Sequence, residues 1–209
     1  MARTRSAEAH GKVIQAALAL FCERGIDSSS MDAIAASSGV SKATIYNHWA
    51  DKEALLMEVM LYVNGADREP TEVNTGDLQH DLATVLSWRP PGELEEARVR
   101  ITPMFIAYAA VHPEFGAAWR QRIMEPGRKM LRQILARGVE CRELPADLDF
   151  DLAVALLFGP MLYRHILVKN SASRLEDIGP QVAAAFCRAY LIKNAKAARA
   201  QSKRDLSHV

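Results

Sequence analysis

One stretch of the chain, Ser30 to Lys52, leaves few choices of fold. Ser30 is suited to cap a helix, since its hydroxyl can accept an orphan backbone N–H of the first turn. Ile34 and Ala35 then fall on one side of that short helix. Gly39 follows the last helical residues, where a left-handed position favours glycine. Val40 gives the turn an apolar plug, and Ser41 caps a second short helix. There Ile45 and Trp49 lie four apart on one face. Lys42, Thr44, Tyr46, Asn47 and His48 are left to other faces. Two short helices joined by a glycine turn, the second apolar on one side and polar on the other, form the grammar of a helix-turn-helix. Helices this short are marginal alone, so neighbours must hold them. Asp51 can cap a longer helix through Leu61. Its free N–H groups and the adjacent Lys52 suit a phosphate.

Around this stretch stand Ile14-Gln15-Ala16-Ala17, Phe21, Glu23-Arg24-Gly25-Ile26, Ser29-Ser30, Ile34-Ala35, Gly39-Val40-Ser41, Thr44-Ile45-Tyr46, His48-Trp49 and Lys52-Glu53-Ala54-Leu55. In order and spacing, residues 10–60 resemble the DNA-binding domain of the tetracycline-repressor (TetR) family of bacterial transcription regulators. Trp49 stands where the family more often has Phe, and Asp32 where some members carry a basic residue. Further on, Arg137-Gly138-Val139-Glu140, Asp149 and Leu156 to Arg164 resemble, more weakly, the family's ligand-binding domains.

The rest of the chain reads as helices, without alternating β-branched runs. A first helix is expected from Ser6 to Arg24, stopped by Gly25. Beyond the motif, helices are expected near Gly76–Trp88, Gly92–Val111, Glu114–Glu140, Phe150–Lys169 and Leu175–Ala197. Pro103 and Pro126 should kink or split theirs. The expected architecture is all-α: a three-helix helix-turn-helix DNA-binding domain over 1–63, a helical effector-binding and dimerisation domain over 64–197, and a basic flexible tail over 198–209.

The charge balance rules out an indiscriminate polycation. The 209 residues carry a net charge of +1, and residues 1–60 hold six basic side chains against seven acidic ones. DNA binding must therefore come from placement of charge, not its total. Arg3 and Arg5 are read as the start of a mobile arm. Cys22, Cys141 and Cys187 have no metal spacing and, with no secretory leader read ahead of them, imply free thiols, buried in helices, in a reducing cytoplasm. No apolar run reaches the ~20 residues of a membrane helix. Phosphate loops, His-Glu-x-x-His and nucleophile elbows are missing, so neither an enzyme nor a cofactor or metal is expected.

Three sites are expected. The first is for double-stranded DNA: Ser30, Ser41, Lys42, Thr44, Tyr46, Asn47, His48 and Lys52. Thr44 and Lys42 can reach base edges. Tyr46, His48 and Lys52 resemble the family residues that hold phosphates. The second is a homodimer interface. Leu152, Leu156, Gly159, Tyr163 and Ile166 form one apolar stripe, and Val182, Ala185, Phe186, Ala189 and Tyr190 another. A two-fold dimer lets short recognition helices read two half-sites, and the resemblance implies that the last two helices make it. The third is a pocket for an unknown small-molecule effector, lined by Trp88, Met104, Phe105, Tyr108, Trp119, Met124 and Phe158 where proline-kinked helices pack imperfectly. The resemblance implies a regulator, a repressor by expectation, released from a palindromic operator by its effector. An activator, or a structural DNA binder without a small ligand, is the alternative.

Overall fold

The computed structural model describes residues 2–65, 72–88, 92–168 and 177–192, with only the backbone for 2–6, 165 and 166. The expected tail over 198–209 lies outside the described residues. Among them the regular elements are helical, without strands. In chain order they are α1 (Ala2–Arg24), α2 (Met31–Ser38), α3 (Lys42–His48), α4 (Lys52–Asn64), α5 (Leu78–Leu86), α6 (Glu95–Val111), α7 (Pro113–Trp119), α8 (Glu125–Glu140), α9 (Phe150–Leu167) and α10 (Gly179–Tyr190). A 3-10 turn at Gly92–Leu94 precedes α6, and a π turn at Arg120–Met124 joins α7 to α8.

Capping explains where the short helices start. Ser30, Ser41 and Asp51 each accept a backbone N–H from three residues on, in Ala33, Thr44 and Ala54. Gly39 ends α2 at φ 68°, a left-handed conformation that costs a side chain-bearing residue about 1–2 kcal/mol. Helix α1 begins at Ala2 rather than Ser6, so Arg3 and Arg5 belong to its first turns and not to a separate arm.

By packing, the chain forms two compact units, each drawing on two stretches of sequence. The first takes in residues 1–69 with 89–124; the second takes in 70–88 with 125–209. In the first unit α1 packs on α2, α3, α4 and α6, and α4 also packs on α6. Their shared core holds Phe21, Ile34, Ile45, Leu55, Met60 and Phe105. Helices α6 and α7 meet at Gly116, where a Cβ would lie 2.5 Å from the Ala109 carbonyl oxygen. Only glycine permits that approach. Pro103, expected to kink or split its helix, does not split it: α6 runs through it, with Ile101, Phe105 and Tyr108 burying the helix on the core. Pro126 is the second residue of α8, directly after the π turn that divides the expected Glu114–Glu140 helix.

In the second unit α5 packs along α10, and α8 packs on α5 and α9. Leu131, Ile134, Leu135 and Gly138 give α8 one buried stripe at helical spacing. The buried Asp81 carboxylate accepts from the Thr75 backbone (2.9 Å) and hydroxyl (2.6 Å) and faces the Arg137 guanidinium at 3.6 Å. Arg137, itself partly exposed, in turn donates to the Val73 carbonyl, so this pair pins the segment entering α5 onto α8.

Candidate nucleic-acid interface

Helix α3 presents its polar face outward. Ile45 and Trp49 are buried in the core of the first unit, while Lys42, Tyr46, Asn47 and His48 are exposed. Tyr46 is half exposed, much for a large aromatic. The Ser41 and Thr44 hydroxyls lie 2.9 Å apart, so the cap also orients Thr44. Lys42 Nζ pairs with Asp32 Oδ2 of α2 at 2.7 Å.

What aims α3 is a group of side chains beneath it. Glu58 of α4 accepts from the buried Trp49 indole N–H with one oxygen and meets His10 Nε2 of α1 at 2.6 Å with the other. The His10 ring lies 4.9 Å from the Trp49 ring and 5.8 Å from His48. One carboxylate thus ties α1, the end of α3 and α4 together. Neither His10 nor Glu58 was expected at the site. The available signal was a lone carboxylate within the apolar run Leu55–Leu61. Lys52 is partly committed as well: its Nζ donates to the carbonyls of Ile26 (2.9 Å) and Asp27 (3.5 Å), holding the start of α4 to the turn after α1.

A second junction joins α4 to α6. The Tyr108 hydroxyl donates to Glu53 Oε1 at 2.9 Å, and His112 stacks on Tyr108 at 3.8 Å with its Nδ1 3.7 Å from the same oxygen. Burial, reinforced by the Glu53 hydrogen bond and charge, pushes the Tyr108 hydroxyl up to about 12.

The expected dimer stripes fare differently. On α9, Leu152, Leu156, Gly159 and Tyr163 are exposed together. The side chain of Ile166 lies outside the described residues, while Leu167, which was not expected, is exposed. On α10, Ala185 and Ala189 face outward, but Phe186 is buried in its own unit and stacks on Tyr190 at 4.7 Å. Val182 and Tyr190 pack on that same core. The second stripe is therefore two faces, one turned to the unit's own core through Phe186 and Tyr190 and one turned outward.

The seven residues expected around an effector do not form one cluster within either unit. Met104, Phe105, Tyr108, Trp119 and Met124 belong to the first, and Trp88 and Phe158 to the second. Phe105 is fully buried, edge-on to Phe115 (5.1 Å) and Trp119 (5.7 Å), so it fills core. A cavity of about 60 Å³ in the second unit borders Asp81, Arg137, Gly138 and Cys141, room for water rather than a ligand that needs about 300 Å³ or more.

Cys187 is buried, but Cys141 is exposed, against the expectation of buried thiols. Burial, with the Asp77 and Glu143 charges adding to it, pushes the Cys187 thiol up to about 11. Burial also raises Cys22, so both are held away from the reactive thiolate. Among the described residues no helix is long and apolar enough to cross a membrane, and no group of three His, Cys, Asp or Glu side chains is placed to hold a metal.

A capped two-helix motif with an exposed polar second helix defines a DNA-binding helix-turn-helix protein. Residues 13–59 match the model of the bacterial regulatory proteins of the tetR family, and residues 72–177 that of the tetracyclin repressor-like C-terminal domain. The chain belongs to the TetR family of transcriptional regulators. The HTH-type transcriptional regulator YdeS of Bacillus subtilis (strain 168) is 28% identical over 171 residues, covering 82% of this chain and 85% of that protein. The DNA-binding transcriptional repressor TetR of Mycobacteroides abscessus is 30% identical over 162 residues, covering 74% and 80%. Among solved structures, a TetR-family regulator from Mesorhizobium loti MAFF303099 superposes with a TM-score of 0.61 at 27% identity, covering 90% of this chain and 99% of that one.

Proposed function

We propose that this regulator is a cytoplasmic homodimeric repressor that binds a two-fold symmetric operator and is released by a small-molecule effector, acting by binding alone and without catalysis. The observation that carries the dimer is the exposed face of α9, where Leu152, Leu156 and Tyr163 are each 45% to 61% open. Ala185 and Ala189 of α10 add small side chains that allow close helix approach. Three large apolar side chains along one helix face are costly in water and suit a second copy of the same face. Each chain then supplies one short recognition helix, and the pair reads two half-sites a helical turn apart.

On this reading Thr44 and Lys42 contact base edges, and Tyr46, Asn47 and His48 fix the helix against phosphates. Ser30 and Ser41 contribute through the caps and their exposed edges. Lys52 acts chiefly by placing the start of α4, keeping a third N–H for a phosphate. Effector and DNA would oppose one another reciprocally, with α4 moving through its Glu53 contact to α6. Met104, Tyr108, Trp119 and Met124 of the first unit are the proposed effector contacts, and an effector would have to open space among them.

The test is selection of bound fragments from the organism's own DNA by the purified chain. Recovery of a symmetric site, held by a species of twice the chain mass in sedimentation, is the expected outcome. A monomer, or salt-sensitive binding without sequence preference, would turn the reading toward a structural DNA binder.

A further inference from the structure

The DNA-facing helix starts beside an acid. Lys42 Nζ and Asp32 Oδ2 are 2.7 Å apart, and both side chains are more than half exposed. Lys42 and Tyr46 are four apart on α3 and share its outer face, so Asp32 borders the surface that meets DNA. Such an exposed pair adds only about 0–1 kcal/mol to folding; its larger effect falls on DNA binding. A free lysine that neutralises a phosphate releases a counterion, and log K then falls with log salt by about 0.9 per contact. A lysine already neutralised by its own chain contributes less. Cations are scarce here, with six bases against seven acids in residues 1–60, and Lys52 already donates to two carbonyls. Lys42 is therefore a large part of any sequence-independent attraction that α3 can exert.

We infer that Asp32 is a specificity-determining residue: it withholds Lys42 from the phosphates of arbitrary DNA and yields it only where the other exposed side chains of α3 also find their base edges. The inference rests on the reading of α3 as the DNA-contacting helix.

The experiment uses the full chain and a short duplex of arbitrary sequence, with binding followed by fluorescence anisotropy across a salt series. Asp32→Asn keeps the size of the side chain and removes its charge. It should bind the duplex several-fold tighter than the parent. Its salt exponent should steepen by about 0.9 per chain, roughly a 3.5-fold greater loss of affinity between 50 and 200 mM salt. The gain should vanish when Lys42→Ala is added. Preference for a selected symmetric site over the arbitrary duplex should fall in Asp32→Asn. Unchanged affinity and slope in Asp32→Asn would overturn the inference. So would a gain that persists without Lys42, since Asp32 would then act as a general repulsive charge. If Lys42→Ala and Tyr46→Ala both bind like the parent, α3 is not the contact surface, and the reading of the interface falls along with the inference.

Discussion

Glu58 commits both carboxylate oxygens inside the first unit, one to His10 and one to the Trp49 indole. Glu58→Ala leaves the buried Trp49 N–H without its partner, which should cost about 1–3 kcal/mol. Thermal unfolding gives the loss, and a shifted tryptophan emission reports the altered seat of Trp49. Gly116 makes a different demand. A methyl group there meets a backbone oxygen at 2.5 Å, so Gly116→Ala should destabilise by about 1–3 kcal/mol through overpacking. Tyr108 carries a pH signature. Its folded value is raised from 10.0 to about 12, so the folded chain holds its phenol proton where the unfolded chain has lost it. That contribution is whole below pH 10 and disappears as pH climbs through about 12. Urea midpoints measured across this window should fall with pH, and Tyr108→Phe should make the fall shallower.

At the scale of elements, α3 separates support from contact within two consecutive residues. Ile45 is buried and Tyr46 half exposed. Ile45→Ala should cost about 2–5 kcal/mol of stability. Tyr46→Ala should melt like the parent yet bind DNA more weakly, with a flatter salt dependence. Equal loss of stability in both would contradict that division. The motif was legible because caps, turn glycine and apolar spacing are local rules: Ser30, Gly39, Ser41 and Asp51 act as expected. The clamp from His10 to Glu58 spans 48 residues, and nothing in local periodicity announces such a partner. Pro126 acts as expected, with a π turn dividing its helix just ahead of it, while Pro103 does not split α6. A proline weakens a helix locally, but burial of Phe105 and its neighbours carries α6 past Pro103. The second apolar stripe divides between two faces, because helical spacing marks a face as apolar without saying whether the chain's own core or a second copy covers it. Phe186 and Tyr190 went to the core, and the two alanines did not.

For the whole molecule, the exposed row on α9 sets a test of assembly. Leu156→Arg should yield a monomer in sedimentation with little loss of melting temperature beyond that of the dimer contact itself. Affinity for a two-half-site operator should drop by about 10²-fold or more, the advantage of two linked reading heads. A second consequence concerns how such regulators can be recombined. The chain passes between its two units at residues 69/70, 88/89 and 124/125. A hybrid gene that takes only residues 1–64 as a portable reader and splices on a foreign sensor would discard Ile101, Phe105 and Phe115, on which the reader's own core closes. Exchange of sensors between relatives, by an engineer or by natural crossover, should therefore yield folded offspring when 89–124 travels with the reader, and insoluble ones when the cut falls at the end of α4.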